Sequence, residues 1–471
     1  MTAPSFGRDL TTGSIPRHLI LFSLPMLAGS VLQTAYSFVN AIWVGKCIGS
    51  DALAAITVSF PVIFVMVALG AGLTLATTIL VSQHYGARDI DAVRGVVNNS
   101  AILIGVLSLI LTVVGEILAP YILRAMGTPP QVFDMATSYL RVFLLSLPIG
   151  FGLFLTRSTL QGIGDSTTPL YFQTGALVLN TILDPILMFG SYFVPGLGLN
   201  GTAWASVIAQ GAALFALVAH LRKTGNLVAP HPFATRFDWP TAWTTVRIGL
   251  PSAVQQSLVS VGMVFVIGIV NSFGAYATAA FGAASRIDQL AFMPAMTFSL
   301  AVSTLTGQNI GAGRHDRVRK VFLWGCLLSG GITLAASILA VSAPSLLIRI
   351  FTSDTAVIEP GADYLSIVGL CYVFFAVMFV SNGVINGSGH TLATTLISLL
   401  SLWVVRVPLG LYLSRQMHSV HGVWLAIAAS FGVSMIASLC YYLSGRWRRP
   451  VIRRRVPQTP EAIFGDEAGE A

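Results

Sequence analysis

An all-α polytopic membrane protein, with twelve transmembrane helices in two six-helix bundles related by a pseudo-two-fold axis along the membrane normal, is predicted by three features of this 471-residue chain. Only 9% of the residues are charged, against about 25% in a soluble domain. Runs 18–45, 52–87, 248–285 and 364–405 contain no Asp, Glu, Lys or Arg. A membrane span needs roughly 20 apolar residues, so each run holds one helix, or a helix and its turn. Finally, separate segments recur at one fixed offset.

Breaking the runs at charged and Gly/Pro-rich stretches gives spans at 18–44, 52–82, 95–119, 133–157, 168–190, 200–221, 243–271, 276–306, 320–343, 362–385, 392–414 and 421–443. The first is too long for the apolar core of a signal peptide, and no small-residue cleavage site follows it, so it reads as a retained helix. An even number of spans leaves both termini on one side. Assigning that side to the cytoplasm collects most of the 26 Lys and Arg there: Arg88, Arg94, Arg222, Lys223, Arg236, Arg247, Arg314, Arg317, Arg319, Lys320 and the tail "RWRRPVIRRR". Lys46, Arg124, Arg349 and Arg415 fall chiefly on the other side. This positive-inside bias predicts a multi-pass protein of the cell (inner) membrane with cytoplasmic termini. It accounts for the net charge of +8 without a nucleic-acid partner. The basic tail can also touch anionic membrane lipid.

"LPMLAGSVLQTAYSFVN" at 24 returns loosely as "LPSAVQQSLVSVGMVFV" at 250, "QHYGARDIDAVR" at 83 as "QNIGAGRHDRVR" at 308, and "QGIGDSTTP" at 161 as "NGSGHTLAT" at 386. The offset is the same in all three pairs to within a single position. The chain therefore divides into a bundle at 1–221, a cytoplasmic linker at 222–242, a second bundle at 243–445 and a basic, then acidic, tail at 446–471. Six helices per half make the repeat parallel. Such repeats place substrate between the halves and work by alternating access.

Several chemistries are disfavoured. Cys47, Cys326, Cys371 and Cys440 are scattered without paired spacing, which suggests neither a metal site nor a disulfide framework. His84, His315, His390, His418 and His421 lie in or near loops without metal-ligand spacing. No phosphate-binding GxxxxGK[ST] sequence is present. Paired intramembrane acids or a His cluster, which a membrane enzyme needs, are lacking, so no cofactor and no enzymatic activity are expected.

One carboxylate stands apart. From Ser166 to Leu221 there is no Lys, Arg or Glu, and Asp184 in "NTILDPILMFG" is the sole Asp. Insertion scales put an Asp at mid-membrane at about +2.5 to +3.5 kcal/mol, so such residues usually face an interior and serve function. Asn180, four residues earlier, shares its helix face. The alternation of helix directions places Asn40 near the outer end of the first span and Thr202 near the outer start of the sixth, at similar depth. An acid that can carry a proton, or oxygens that suit a hard cation such as sodium, is one reading, and Pro185 aids it by freeing a backbone carbonyl. The other reading is an Asp-Pro helix break near the surface with Asp184 as a cap.

"GARDIDAVR", "QGIGDSTTP", "NTILDPILMFG", "GTAWAS", "GQNIGAGRHDRVR" and "RVPLG", in this order and spacing, resemble the MATE (multidrug and toxic compound extrusion) transporters over residues 15–443. The resemblance implies two bundles facing across a V-shaped cleft. It implies export of large, often cationic and amphipathic, drug-like compounds in exchange for protons or sodium ions, by a monomer. It also implies that Asn180, Asp184 and Thr202 bind the coupling cation together with a carboxylate in the first helix, where this chain carries Asn40. An amide cannot titrate, though its oxygen can still accept a hydrogen bond or coordinate sodium. Gln255 and Gln256 in the seventh span and apolar residues around Phe375 in the tenth stand where one MATE branch carries Glu and Asp. The chain thus looks nearer the DinF-like branch.

Gln33, Tyr36 and Asn40 share one face of the first span and are expected to line the cleft or pack as a polar seam, with Pro25 as the bending point. Arg286 and Asp288, two apart and so not facing each other, are expected in an interhelical structural contact. Arg406 of "RVPLG" is expected in a structural role. The alternative function is flipping or export of a lipid-linked or other endogenous metabolite.

Overall fold

Backbone amides and carbonyls find no partners in lipid except one another, so long apolar runs close into helices. The computed structural model describes residues 7–44, 48–190, 195–231 and 236–448. Its long helices are α1 (Ile15–Trp43), α2 (Ser50–Gly86), α3 (Ile90–Ala125), α4 (Pro130–Leu145 continued by Leu147–Gly162), α5 (Thr167–Phe189), α6 (Leu199–Lys223), α7 (Trp239–Asn271), α8 (Ala275–Gly311), α9 (His315–Ser342), α10 (Thr355–Gly387), α11 (Thr391–Met417) and α12 (His421–Leu443). Eleven are singly long and apolar enough to cross a membrane, and the bent pair in α4 makes the twelfth. Phe215, Leu290 and Leu327 lie largely exposed, as apolar side chains in contact with lipid can. Lys46 and the tail from residue 449 lie outside the described residues.

Two helices depart from the expected unbroken spans, at equivalent places. α4 bends by 44° at Ser146, because Pro148 just beyond has no amide hydrogen to donate and crowds the preceding turn. In α10 a 3₁₀ turn, Gly369–Cys371, interrupts the helix. Ser146 and Cys371 stand at the offset of the repeated segments. Several helices also run further than hydropathy predicts. α2 continues to Gly86 and α8 to Gly311, through polar residues whose side chains are satisfied by the other half of the chain. Similarly, α6 reaches Lys223 and α7 begins at Trp239, which leaves a shorter non-helical connection than the expected 222–242. Asn98 and Asn99 of α3 pin that connection: Asn98 Oδ1 accepts from His231 N at 2.8 Å, and Asn99 Nδ2 donates to the Asp238 carbonyl at 2.8 Å.

The first and last described segments, residues 7–14 and 444–448, lie at the same end of the bundle. Trp447, just past α12, stacks on Tyr442, which stacks on Phe322 of α9. Leu10, Ile15 and Leu19 join the same apolar cluster. At this end α2 and α8 cross with reciprocal contacts. A Cβ on Gly86 would fall 1.9 Å from the Gln308 carbonyl oxygen, and one on Gly311 would fall 1.9 Å from that of Gln83. Gln83 Nε2 donates to the Gly387 carbonyl at 2.8 Å, and Gln308 Nε2 to the Gly162 carbonyl at 3.0 Å. Each glutamine thus ties its own half to the end of the fourth helix of the other half.

Residues 7–14 form a strap over this crossing. Arg8 N donates to the Ile163 carbonyl at 3.0 Å, and Leu10 N to Gln308 Oε1 at 3.0 Å. Asn309 Nδ2 donates to the Leu10 carbonyl at 3.2 Å, Arg314 to that of Thr11 at 2.7 Å and Arg317 to that of Thr12 at 3.2 Å. Asp9 lies 3.9 Å from Arg88. Partial burial pushes the Asp9 carboxyl up, but hydrogen bonds from Thr11 and the nearby Arg88 and Arg314 outweigh it and hold it below the usual range. Among the described residues, the hydrogen bonds that cross between the halves lie at this end.

Gly86→Ala is expected to destabilise the protein by about 1–3 kcal/mol, since overpacking moves backbone. Gly95→Ala, whose Cβ meets nothing within 4 Å, is expected to be neutral or stabilising by up to about 1 kcal/mol. Thermal unfolding of the two variants in one detergent compares them directly, and equal midpoints would contradict the tight crossing.

Candidate functional site

α5 continues through Asp184 and Pro185 to Phe189 and ends at Gly190. Asp184 is therefore neither a cap nor at a helix break, and that reading of the sequence is set aside. Its side chain is only 1% exposed. Tyr36 of α1 donates its hydroxyl to Asp184 Oδ2 at 3.2 Å. Asp184 Oδ1 is buried with no hydrogen-bond partner among the described residues. Asn180, one turn earlier, donates through Nδ2 to Ser206 of α6 at 3.0 Å, while its Oδ1 is also buried without a donor. Asn40, one turn beyond Tyr36 on α1, presents a third buried and unpartnered oxygen, an amide oxygen like that of Asn180. Thr202 of α6 is buried and donates its hydroxyl to the Leu199 carbonyl of its own helix at 2.9 Å.

Buried polar atoms are paired in the great majority of cases. Here one carboxyl oxygen and two amide oxygens, from two helices, lack donors. Such acceptors suit a proton on the carboxyl or a hard cation with oxygen ligands. Hydrogen bonds do not join Asn40 or Thr202 to Asp184; the direct partner is Tyr36, which sequence alone assigned to the cleft.

Below this cluster lies a cavity of about 510 Å³ enclosed by α1, α4, α5 and α6. Gln33, Tyr36 and Asn180 line it, with Arg157, Phe172 and Gln210. Its size falls in the range of drug-sized binding pockets. It sits within the amino-terminal bundle rather than in a cleft between bundles. Gln33 is exposed towards it and accepts a long contact of 3.4 Å from Gln173. Pro25 lies lower in α1, inside an unbroken helix.

The carboxyl-terminal half buries its own acid differently. Asp288 of α8 accepts from Tyr372 at 2.6 Å and from Tyr364, so both of its oxygens are occupied. Arg406 closes a π-helical turn in α11, donates through Nε to Ser430 at 2.7 Å and lies 4.4 Å over the Phe431 ring. Arg286 points elsewhere, over Phe351 at 6.0 Å. Asp288 thus makes the interhelical contact expected of it, without Arg286. The sequence reading missed Tyr364 and Tyr372; two tyrosines flanking a glycine-containing turn opposite a lone acid were the available signal.

The MatE family model matches this chain twice, over residues 25–186 and 251–412. The chain belongs to the MatE family. The second match begins and ends at the offset of the internal repeat from the first. MatE relatives include the probable multidrug resistance protein YpnP of Bacillus subtilis, 31% identical over 93% of this chain and 97% of that protein. A FAD transporter of Shewanella oneidensis is 24% identical over 94% of this chain and 97% of that protein. A MATE protein solved in a straight and in a bent conformation shares the fold, with TM-score 0.86 over 95% of this chain and 98% of that chain, at 24% identity.

The two acids of this MatE chain separate experimentally. Asp288→Leu strips Arg406 of its nearby counter-charge and two tyrosines of their acceptor, and is expected to cost about 3–5 kcal/mol. Asp288→Leu combined with Arg406→Met should recover a large part of that loss. Asp184→Asn is expected to change stability by less than about 1 kcal/mol. Denaturation midpoints of the four proteins test the assignment; a larger loss for Asp184→Asn than for Asp288→Leu would reverse it.

Proposed function

We propose that this protein is a secondary multidrug antiporter, exporting amphipathic and chiefly cationic organic compounds while protons or sodium ions return through the cluster around Asp184. The observation that carries this reading is the set of donor-less oxygens on Asp184, Asn180 and Asn40 above a drug-sized cavity. Relatives named as multidrug resistance proteins support the exporter part. The coupling step falls to Asp184, because Asn40 cannot titrate and both oxygens of Asp288 are held by tyrosines.

In this scheme Tyr36 is the link between ion and drug. Its hydroxyl touches Asp184 and its side chain lines the cavity, so a proton or cation taken up at the vacant Oδ1 neutralises the carboxylate and weakens the tyrosine's bond to Oδ2. Bending of α1 at Pro25 would transmit that change, a role supported by the straight and bent forms of the MATE relative. With both termini in the cytoplasm, as the positive-inside bias suggests, the crossing of α2 and α8 faces the cytoplasm. The protein acts as a monomer in the cell (inner) membrane, with the ion as its sole co-substrate. A second reading, export of an endogenous metabolite, is favoured by the relative named as a FAD transporter.

Ethidium efflux from membrane vesicles, driven by an imposed proton or sodium gradient, tests the proposal. Wild type is expected to export under one gradient, which names the ion. Asp184→Asn is expected to lose gradient-driven export while still binding ethidium. Undiminished export by Asp184→Asn would remove Asp184 from coupling.

A further inference from the structure

Arg157 belongs to the lower segment of α4, which ends at Gly162. It is one of the few charges inside the amino-terminal bundle. It falls at the end of the span expected at 133–157, and the sequence alone does not single it out. In the structure it instead lines two cavities. One is the 510 Å³ cavity beneath Asp184. The other, of about 200 Å³, lies between the halves, with Thr78 and Gln161 on one side and Ser303 and Thr304 on the other. Among the described residues, Arg157 is the only Arg, Lys, Asp or Glu lining either one. Among the described residues, the guanidinium forms no ion pair and no hydrogen bond.

We propose that Arg157 is a binding residue for an anionic group, a carboxylate, sulfonate or phosphate, on amphipathic substrates that occupy the amino-terminal cavity. The inference rests on the export reading and names a substrate class for that same cavity. A guanidinium half-buried between two cavities presents a planar fork of donors matched to such oxyanions. The cavity runs along α5 from Pro169, in the first turn after α4 ends, to Asn180, one turn short of Asp184. That stretch of helix spans roughly 16 Å. The two ends of the cavity therefore differ in polarity: a fixed positive charge, Arg157, at the lower end, and the uncharged Asn180 at the upper. Aromatic and aliphatic walls, Phe154 and Phe172 among them, lie between. The repeat position in the other half holds Asn382, whose oxygen accepts from Ser438 at 2.9 Å, so this anion site belongs to the amino-terminal bundle alone.

Two xanthene dyes of similar core, anionic fluorescein and cationic rhodamine 6G, separate the contributions. Binding is measured by fluorescence anisotropy with the purified full-length protein in nanodiscs. Arg157→Gln is expected to weaken fluorescein binding by about tenfold or more and to leave rhodamine 6G within about twofold. Arg157→Lys, which keeps the charge and loses the fork, is expected to fall between. Equal fluorescein affinity in wild type and Arg157→Gln overturns the proposal, as does a wild type that binds rhodamine 6G but not fluorescein. If Arg157→Gln loses both dyes, Arg157→Lys decides: restored fluorescein binding supports a charge contact, whereas loss of both dyes makes Arg157 structural and overturns the proposal. Failure of the antiport reading looks different, since both dyes would bind as expected while neither is exported under an imposed gradient.

Discussion

Everything at the closed end hangs on two glutamines. Gln83 and Gln308 occupy equivalent places in the repeat, and each sends its amide across to a glycine carbonyl of the opposite half. The bonds are possible because Gly86 and Gly311 let two helix backbones approach to a distance that a single methyl group would forbid. In lipid there is little hydrophobic gain from pressing one helix against another, so small residues and interhelical hydrogen bonds take over that role. The arrangement is self-complementary: the same contact, made twice, satisfies the polar groups of both halves. A change on either side leaves a buried amide without its acceptor.

The two halves use their buried carboxylates in different ways. Asp288 is fully engaged, with a tyrosine on each oxygen and a guanidinium nearby that is itself held by Ser430 and Phe431. Satisfied networks of this kind rigidify a core. Asp184 has one tyrosine and one oxygen to spare. The repeat supplied two copies of one scaffold. One copy is stiffened around its acid, and the other keeps its acid available beside a cavity.

Helix number and order were legible because a charge-free run long enough to cross a bilayer has few alternatives in a membrane protein, and the constant offset between segments exposed the repeat. Helix ends were less legible. Gln83 and Gln308 look like loop residues to a hydropathy reading, and their helical state depends on Gly387 and Gly162, partners far away in sequence. Asp184 stood out because it is alone in an apolar stretch, but its link to Tyr36 crosses from one helix to another and follows from how α1 and α5 pack. Arg157 was hidden for the opposite reason. It lies where positive charge is common, and only the rotation of α4 decides whether it faces headgroups or an interior.

The strap at residues 7–14 gives the sealed end an order of events. Its bonds to Gln308, Asn309, Arg314 and Arg317 are laid out one after another along a peptide, whereas the two glutamine bonds beneath are made together at one crossing. Bonds in series yield one at a time, each at about 0.5–1.5 kcal/mol; bonds in parallel must yield at once. Separation from the terminus side is therefore a peel followed by a snap. The rate of such a process is governed by the crossing, and the strap sets how often the crossing is laid bare.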